Sequence, residues 1–217
     1  MKCALLVIDI QKSFKARPFW SELDIASWQQ AQQQLIDGCV ARGIPVVQVF
    51  HQTTDDGPFD PRQGLVTTLD EIDISPDLVI HKHRHSALAG TPLLDWLIGQ
   101  NIQQLLISGL RTEQCCETTA RHGSDLGFSI DFFSDATLTF AMTHPHSGIS
   151  YTAAQIKERR EPLEQRCMAL LIIGHVRESR LESGELVENG TQSRRCEYQI
   201  AQGADTIRHG LEPFVLG

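Results

Sequence analysis

At 217 residues the chain is long enough for one large α/β domain with a well-buried core. Its 19 Lys and Arg against 27 Asp and Glu give a formal net charge of −8, and the basic residues do not cluster. That balance argues against a nucleic-acid surface or a polybasic membrane surface. No apolar run approaches the length needed to span a bilayer, and six scattered cysteines in no metal or disulfide spacing suit reduced thiols in a cytosol.

The opening Met1-Lys-Cys-Ala-Leu-Leu-Val-Ile ends at Asp9 with no small-residue cleavage site, so it reads as a strand and not as a signal segment. Cys3 to Ile10 is the continuous apolar run of a central parallel strand buried on both faces. An acid at its carboxyl end stands where α/β sheets bind ligands, although Asp also caps the loop after a strand. Gln11, Phe14, Phe19 and Trp20 follow in a loop that offers an aromatic wall to a pocket or a core. Ile25 to Arg42 has helical spacing with Gly43 as its stop, and Ile44 to Phe50 is a second strand with Pro45 confined to its start. His51 to Gly64, rich in Asp, Pro and Gly, is a long surface loop of the kind that collects binding residues.

Leu78 to His81 is a third strand ending at Lys82. His81, His83 and His85 alternate, which on a strand would place three imidazoles on one face for a metal. The segment leaves the sheet near Lys82, and no carboxylate or Cys spacing supports such a site, so no metal is expected. Lys82 itself is a solvated charge unless the fold brings it beside Asp9. Thr91 and Pro92 start a helix, Leu93 to Gly99, and Gln104 to Ser108 is a fourth, central strand. Phe128 to Phe133 is a fifth strand with Asp135-Ala136 at its carboxyl end, Ser150 to Gln165 a helix, and Cys167 to Ile173 a sixth strand. Strands alternating with helices predict a doubly wound, Rossmann-like parallel sheet of about six strands with helices on both faces. From Gly174 the periodicity weakens, dividing the chain into a domain over 1–173 and a tail over 174–217.

The chemistry concentrates after the fourth strand, in Gly109-Leu-Arg-Thr-Glu-Gln-Cys-Cys-Glu-Thr-Thr-Ala-Arg. A thiol at a helix N-terminus sits beside unpaired N–H groups and the positive end of the macrodipole. Both lower its pKa, and the same N–H groups can hold an oxyanion. With Asp9 and Lys82 each after a different strand of the same parallel sheet, the reading is a cysteine hydrolase.

Three segments then resemble, in order, those of the isochorismatase-like superfamily of cysteine hydrolases, which includes nicotinamidases, N-carbamoylsarcosine amidases and ureidoacrylate amidohydrolases. They are Ala4-Leu-Leu-Val-Ile-Asp-Ile-Gln11 with Phe14, Val79-Ile-His-Lys-His-Arg-His-Ser-Ala-Leu-Ala-Gly-Thr91, and the cysteine segment followed by Gly127-Phe and Asp135-Ala. Together they span roughly residues 3 to 166, and their joint occurrence is more specific than any one motif. With Thr112 as anchor, the resemblance makes Cys115 the nucleophile and Cys116 a small buried hydrophobe. It implies a cis peptide bond at Leu110–Arg111 and an oxyanion hole from the N–H groups of Arg111 and Cys115. Asp9 would take the thiol proton, return it to the leaving nitrogen and then activate water against the thioester, with Lys82 holding the charges of the pair and with no cofactor.

Phe14, His51, Leu88 and Phe140, near the carboxyl edge around Cys115, are expected to frame a small-molecule substrate, the reduced thiols suit a cytoplasmic protein, and the resemblance further implies a homo-oligomer, dimer or tetramer. Arg84 and Arg111 are candidates to hold a substrate carboxylate, or to pair with Glu113 or Glu117. The Asp-x-His pair by which nicotinamidases hold a metal is missing from Phe50-His-Gln-Thr-Thr-Asp-Asp-Gly, and Leu88 stands where Phe is frequent. Cys115 favours an amidase-type reaction over the vinyl-ether hydrolysis of true isochorismatases. A redox sensor or a non-catalytic member of the fold is the remaining alternative, and it would leave Asp9 and Lys82 without a role.

Overall fold

The computed structural model describes residues 1–158. The expected strand Cys167–Ile173, the far end of the Ser150–Gln165 helix, the domain boundary at 173 and the tail lie outside the described residues.

Five parallel strands form the sheet: β1 (Cys3–Ile8), β2 (Val46–His51), β3 (Leu78–Lys82), β4 (Gln104–Leu110) and β5 (Ser129–Leu138), in the order β3-β2-β1-β4-β5. β1 lies at the centre and pairs Ile8 with both Val49 and Gly109. Its apolar run is continuous because both faces are covered. Leu5 and Val7 join one core cluster, while Ala4, Leu6 and Ile8 join the other. Helix α1 (Ile25–Val40) seals the first face with Ile25, Trp28, Leu35, Ile36 and Cys39. Helices α2 (Leu93–Gly99) and α3 (Glu117–Asp125) seal the second, with Leu93, Leu97 and Ala120. This is a doubly wound arrangement, and the strand order reverses beside β1, which puts the switch point at the carboxyl ends of β1 and β4.

Two backbone features shape that point. Asp9 takes a left-handed φ of 54°, and Gly109 has φ 118°. A Cβ on Gly109 would lie 1.9 Å from the Ile8 carbonyl oxygen, so only glycine lets β4 run this close to β1. On the far side, a Cβ on Gly123 would already meet Leu105 Cδ1 at 2.9 Å, which shows how tightly α3 lies on the sheet.

Some boundaries differ from expectation. β4 continues to Leu110, and β5 continues through Asp135 and Ala136 to Leu138. A register shift opposite Ile107 and Gly109 lets the two strands resume pairing at Thr137 and Leu138. The Ser150 region opens in a short hairpin, β6 (Met142–Thr143) with β7 (Ser150–Tyr151), and the helix α4 (Ala153–Glu158) starts only after Thr152. Thr152 Oγ1 accepts from Gln155 N, and Gln155 Oε1 accepts from Thr152 N, a reciprocal cap written in Thr-Ala-Ala-Gln.

Candidate active site

At the carboxyl edge, Asp9 leaves β1, Lys82 closes β3, and Cys115 lies in a single π-helical turn, Thr112–Cys116, that joins β4 to α3. Lys82 Nζ donates to Asp9 Oδ2 at 2.8 Å and to Cys115 Sγ at 3.3 Å. Asp9 and Lys82 are wholly buried and Cys115 is 6% exposed. Asp9 Oδ1 carries no hydrogen bond among the described residues, which leaves it as an acceptor for the thiol proton.

The electrostatics correct one expectation. The helix start was expected to lower the Cys115 pKa, yet it is raised. Burial strips the thiolate of water, the Asp9 carboxylate repels it, and the Lys82 ammonium offsets only part of this. Burial alone would push Lys82 down, but the charges of Asp9 and Cys115 and its hydrogen bonds to them outweigh it, and its pKa is raised. His51 is pushed down, first by burial and then by Lys82, whose Nζ is 3.4 Å from His51 Nδ1.

Several side chains hold the edges together. Gln11, fully buried, behaves as a surrogate strand. Its Nε2 donates to His51 O at 2.9 Å, and its Oε1 accepts from His51 N at 2.8 Å. Thr119 Oγ1 donates to Cys115 O at 2.7 Å and accepts from Ala87 N at 3.0 Å, tying the lysine segment to the cysteine turn. Ser86 Oγ bonds His122 Nδ1 at 2.8 Å in the same seam. The Leu110–Arg111 peptide bond is cis, where the resemblance placed it. The Arg111 guanidinium does not face an open site. It pairs with Glu113 at 2.8 Å and lies 4.7 Å from the centre of the Phe19 ring. Arg84 is exposed, and Glu117 pairs with Arg121.

The four residues expected to frame the substrate are divided between the two core clusters and the end of β2. Phe14 packs edge-on against Phe59 in the α1-side core, and Phe140 packs against Phe19 and Trp20 in that cluster. Leu88, 5% exposed, belongs to the opposite cluster, 3.7 Å from where a Cβ on Gly123 would lie. Of the four, His51 meets the buried triad, with Nδ1 3.4 Å from Lys82 Nζ. Apolar side chains near the sheet edge went into the core because the sheet has two faces to cover, a partition that spacing alone does not reveal.

The histidine run also resolves. His81 is exposed and stacks on Phe50, and His83 bonds Gln52 through both ring nitrogens. His85 Nδ1 lies 3.6 Å from Cys115 Sγ. The alternation breaks at Lys82 as the chain leaves the sheet, so the three imidazoles go to three places. Among the described residues no group of three or more His, Cys, Asp or Glu side chains is arranged to hold a metal ion. In the sequence, His85 is legible only as a possible metal ligand. Its position three residues beyond Lys82, where the segment turns back toward the cysteine, was the available signal.

The isochorismatase domain family model matches residues 3–156, the whole stretch that builds this edge. The chain belongs to the isochorismatase family. It is 30% identical over 164 residues to YrdC, an uncharacterized isochorismatase family protein of Bacillus subtilis, covering 71% of this chain and 83% of that protein. Nicotinamidase 3 of Arabidopsis thaliana is 30% identical over 161 residues, 63% of this chain and 73% of its own. Among solved structures, a protein described as a hydrolase of the isochorismatase family from Chromobacterium violaceum superposes with a TM-score of 0.71 at 25% identity, covering 82% of this chain and 94% of that one. The family assignment and the parallel five-stranded sheet agree, and the family match ends two residues before the described residues do. No helix among the described residues is long and apolar enough to cross a membrane.

Proposed function

We propose that this isochorismatase-family hydrolase cleaves a C–N bond, amide or ureido, of a small molecule through a thioester on Cys115. The observation that carries the reading is the buried chain of contacts from Cys115 Sγ to Lys82 Nζ at 3.3 Å and on to Asp9 Oδ2 at 2.8 Å. A thiol, a fixed cation and a carboxylate with one oxygen unengaged are the parts that covalent acyl transfer needs. Its likeness to a plant nicotinamidase supports an amide over an ether.

In this scheme the substrate carbonyl approaches Cys115 Sγ. The S–C bond forms as the thiol proton passes to Asp9 Oδ1, and Lys82 stays bound to Asp9 Oδ2 throughout. The N–H groups of Arg111 and Cys115 are assigned to the oxyanion; among the described residues Arg111 N–H donates to no other group. Collapse breaks the C–N bond, and Asp9 gives its proton to the leaving nitrogen. Water then hydrolyses the thioester. The raised thiol pKa fits this order, because Cys115 gives up its proton only when the forming bond disperses the charge.

The test is a panel of small primary amides and ureido acids assayed for released ammonia or amine. Turnover by the wild-type protein that disappears in Cys115→Ala is the expected result. Activity that survives Cys115→Ala would overturn the reading. We extend the proposal to a homo-oligomer, dimer or tetramer, on the family resemblance alone, and sedimentation of the full chain decides it.

A further inference from the structure

Glu113 lies between the two residues whose N–H groups are assigned to the oxyanion, Arg111 and Cys115, inside the π-helical turn Thr112–Cys116. Its side chain is 10% exposed and makes two contacts that leave the turn. One carboxylate oxygen, Oε1, lies 2.8 Å from Arg111 Nη2. The other, Oε2, accepts from Thr139 Oγ1 at 2.5 Å, one residue past the end of β5. Thr112, the residue before Glu113, donates from Oγ1 to Thr137 Oγ1 at 2.9 Å. Two successive residues of the turn are therefore pinned to the end of β5. The Arg111 side chain has few other holds. Its Nε carries no hydrogen bond among the described residues, and its guanidinium lies 4.7 Å from the centre of the Phe19 ring. Among the described residues Glu113 is its one ion-pair partner.

We propose that Glu113 is a positioning residue for the oxyanion hole, fixing the Arg111 N–H relative to that of Cys115 by holding Arg111 on one side and Thr139 on the other; the proposal rests on the thioester reading above. As Cys115 Sγ bonds to the carbonyl carbon, the carbonyl π pair moves onto oxygen. Two N–H groups stabilise that charge only where both point at it. Removing one donor from such a hole costs about 10²–10³-fold in kcat, and displacing a group by about 1 Å costs about 10²-fold. A buried ion pair adds little net stability over apolar side chains of the same size. What the Arg111–Glu113 pair supplies is direction. Glu113 acts through the backbone that it anchors and takes no part in proton transfer.

Two reagents reach Cys115 by different routes. 4-Nitrophenyl acetate acetylates the thiol through a tetrahedral oxyanion. Iodoacetamide alkylates it by displacing iodide from a saturated carbon, with no oxyanion. Both rates, with reagent in excess, would be followed at Cys115 by peptide mass spectrometry in the full-length wild type, Glu113→Ala and Thr139→Val. The expected result is acetylation slowed about 10-fold or more in Glu113→Ala and by less in Thr139→Val, with alkylation within about twofold of wild type. Glu113→Ala leaves the Arg111 charge buried without its partner. A double variant, Glu113→Ala with Arg111→Met, removes both charges, keeps the N–H at position 111 and should show the same selective loss. Acetylation within about twofold of wild type in that variant would overturn the proposal, since a displaced donor costs far more. Equal slowing of acetylation and alkylation would overturn it too, because Glu113 would then act on the thiol or on the fold. If no amide or ureido compound is turned over while acetylation still depends on Glu113, the substrate reading fails and the role of Glu113 stands. If wild-type Cys115 takes up no acetyl group, both readings fall together.

Discussion

The two sides of Cys115 contrast in how charge is held. On the inner side a carboxylate and an ammonium are wholly buried, and each is tolerable only because the other is 2.8 Å away. On the outer side His83, Arg84 and His85 are exposed, with water free to solvate them. Charges in the first group are rigid and mutually dependent. The side chains in the second stand in water, and none depends on a buried partner of opposite charge.

The largest expected effect tests whether the sulfur belongs to the inner machinery. Cys115→Ala should lower kcat by about 10⁴-fold or more, as removal of a nucleophile does. Cys116→Val should keep most of the activity, because Cys116 is fully buried in the core. Comparable losses in the two variants, measured on the same amide, would dissolve the distinction between neighbouring cysteines.

Next comes the mutual dependence of the inner pair. Lys82→Met leaves the Asp9 carboxylate buried without its cation and should cost about 3–5 kcal/mol in urea unfolding. The double variant Asp9→Asn with Lys82→Met should regain much of that stability and none of the activity. Arg84→Met on the outer side should change stability by less than about 0.5 kcal/mol. If both single cations prove equally tolerant, the contrast between the two sides is wrong.

Alkaline pH provides a third test, at a thiol remote from any charge of the site. Burial pushes Cys39 up from 9.0 to about 12. The unfolded chain therefore loses this proton first, and stability should be complete below pH 9 and fall as pH rises toward 12. The contribution is at most about 4 kcal/mol at 1.36 kcal/mol per unit. Denaturation midpoints of Cys39→Ala should decline less steeply over that window, and parallel slopes would refute the assignment.

The smallest effect concerns Leu88. Since it packs in the core beside Gly123, Leu88→Phe should overfill that space and cost about 1–3 kcal/mol. The ratio of kcat/KM values for flat and branched amides should stay constant. A changed ratio at unchanged stability would return Leu88 to the substrate wall.

Local pattern determined much of this protein. Alternating apolar runs gave the order of strands and helices, and three ordered segments pointed to Asp9, Lys82 and Cys115 as one group, as well as to the position of the cis bond. Tertiary structure decided the rest. The Cys115 pKa rises because burial and a neighbouring carboxylate outweigh the helix start, and neither burial nor that neighbour is a property of the local sequence. Leu88, Phe14 and Phe140 lie in core clusters because two faces of one sheet compete for apolar side chains. β5 runs past Asp135 because a shift against β4 restores pairing, a matter of two strands and not of one. His85 reaches the sulfur because Thr119 and Ser86 fold its segment back onto α3. Periodicity records which way a residue faces along its own element. Desolvation, charge pairing and approach between elements exist only once distant segments meet.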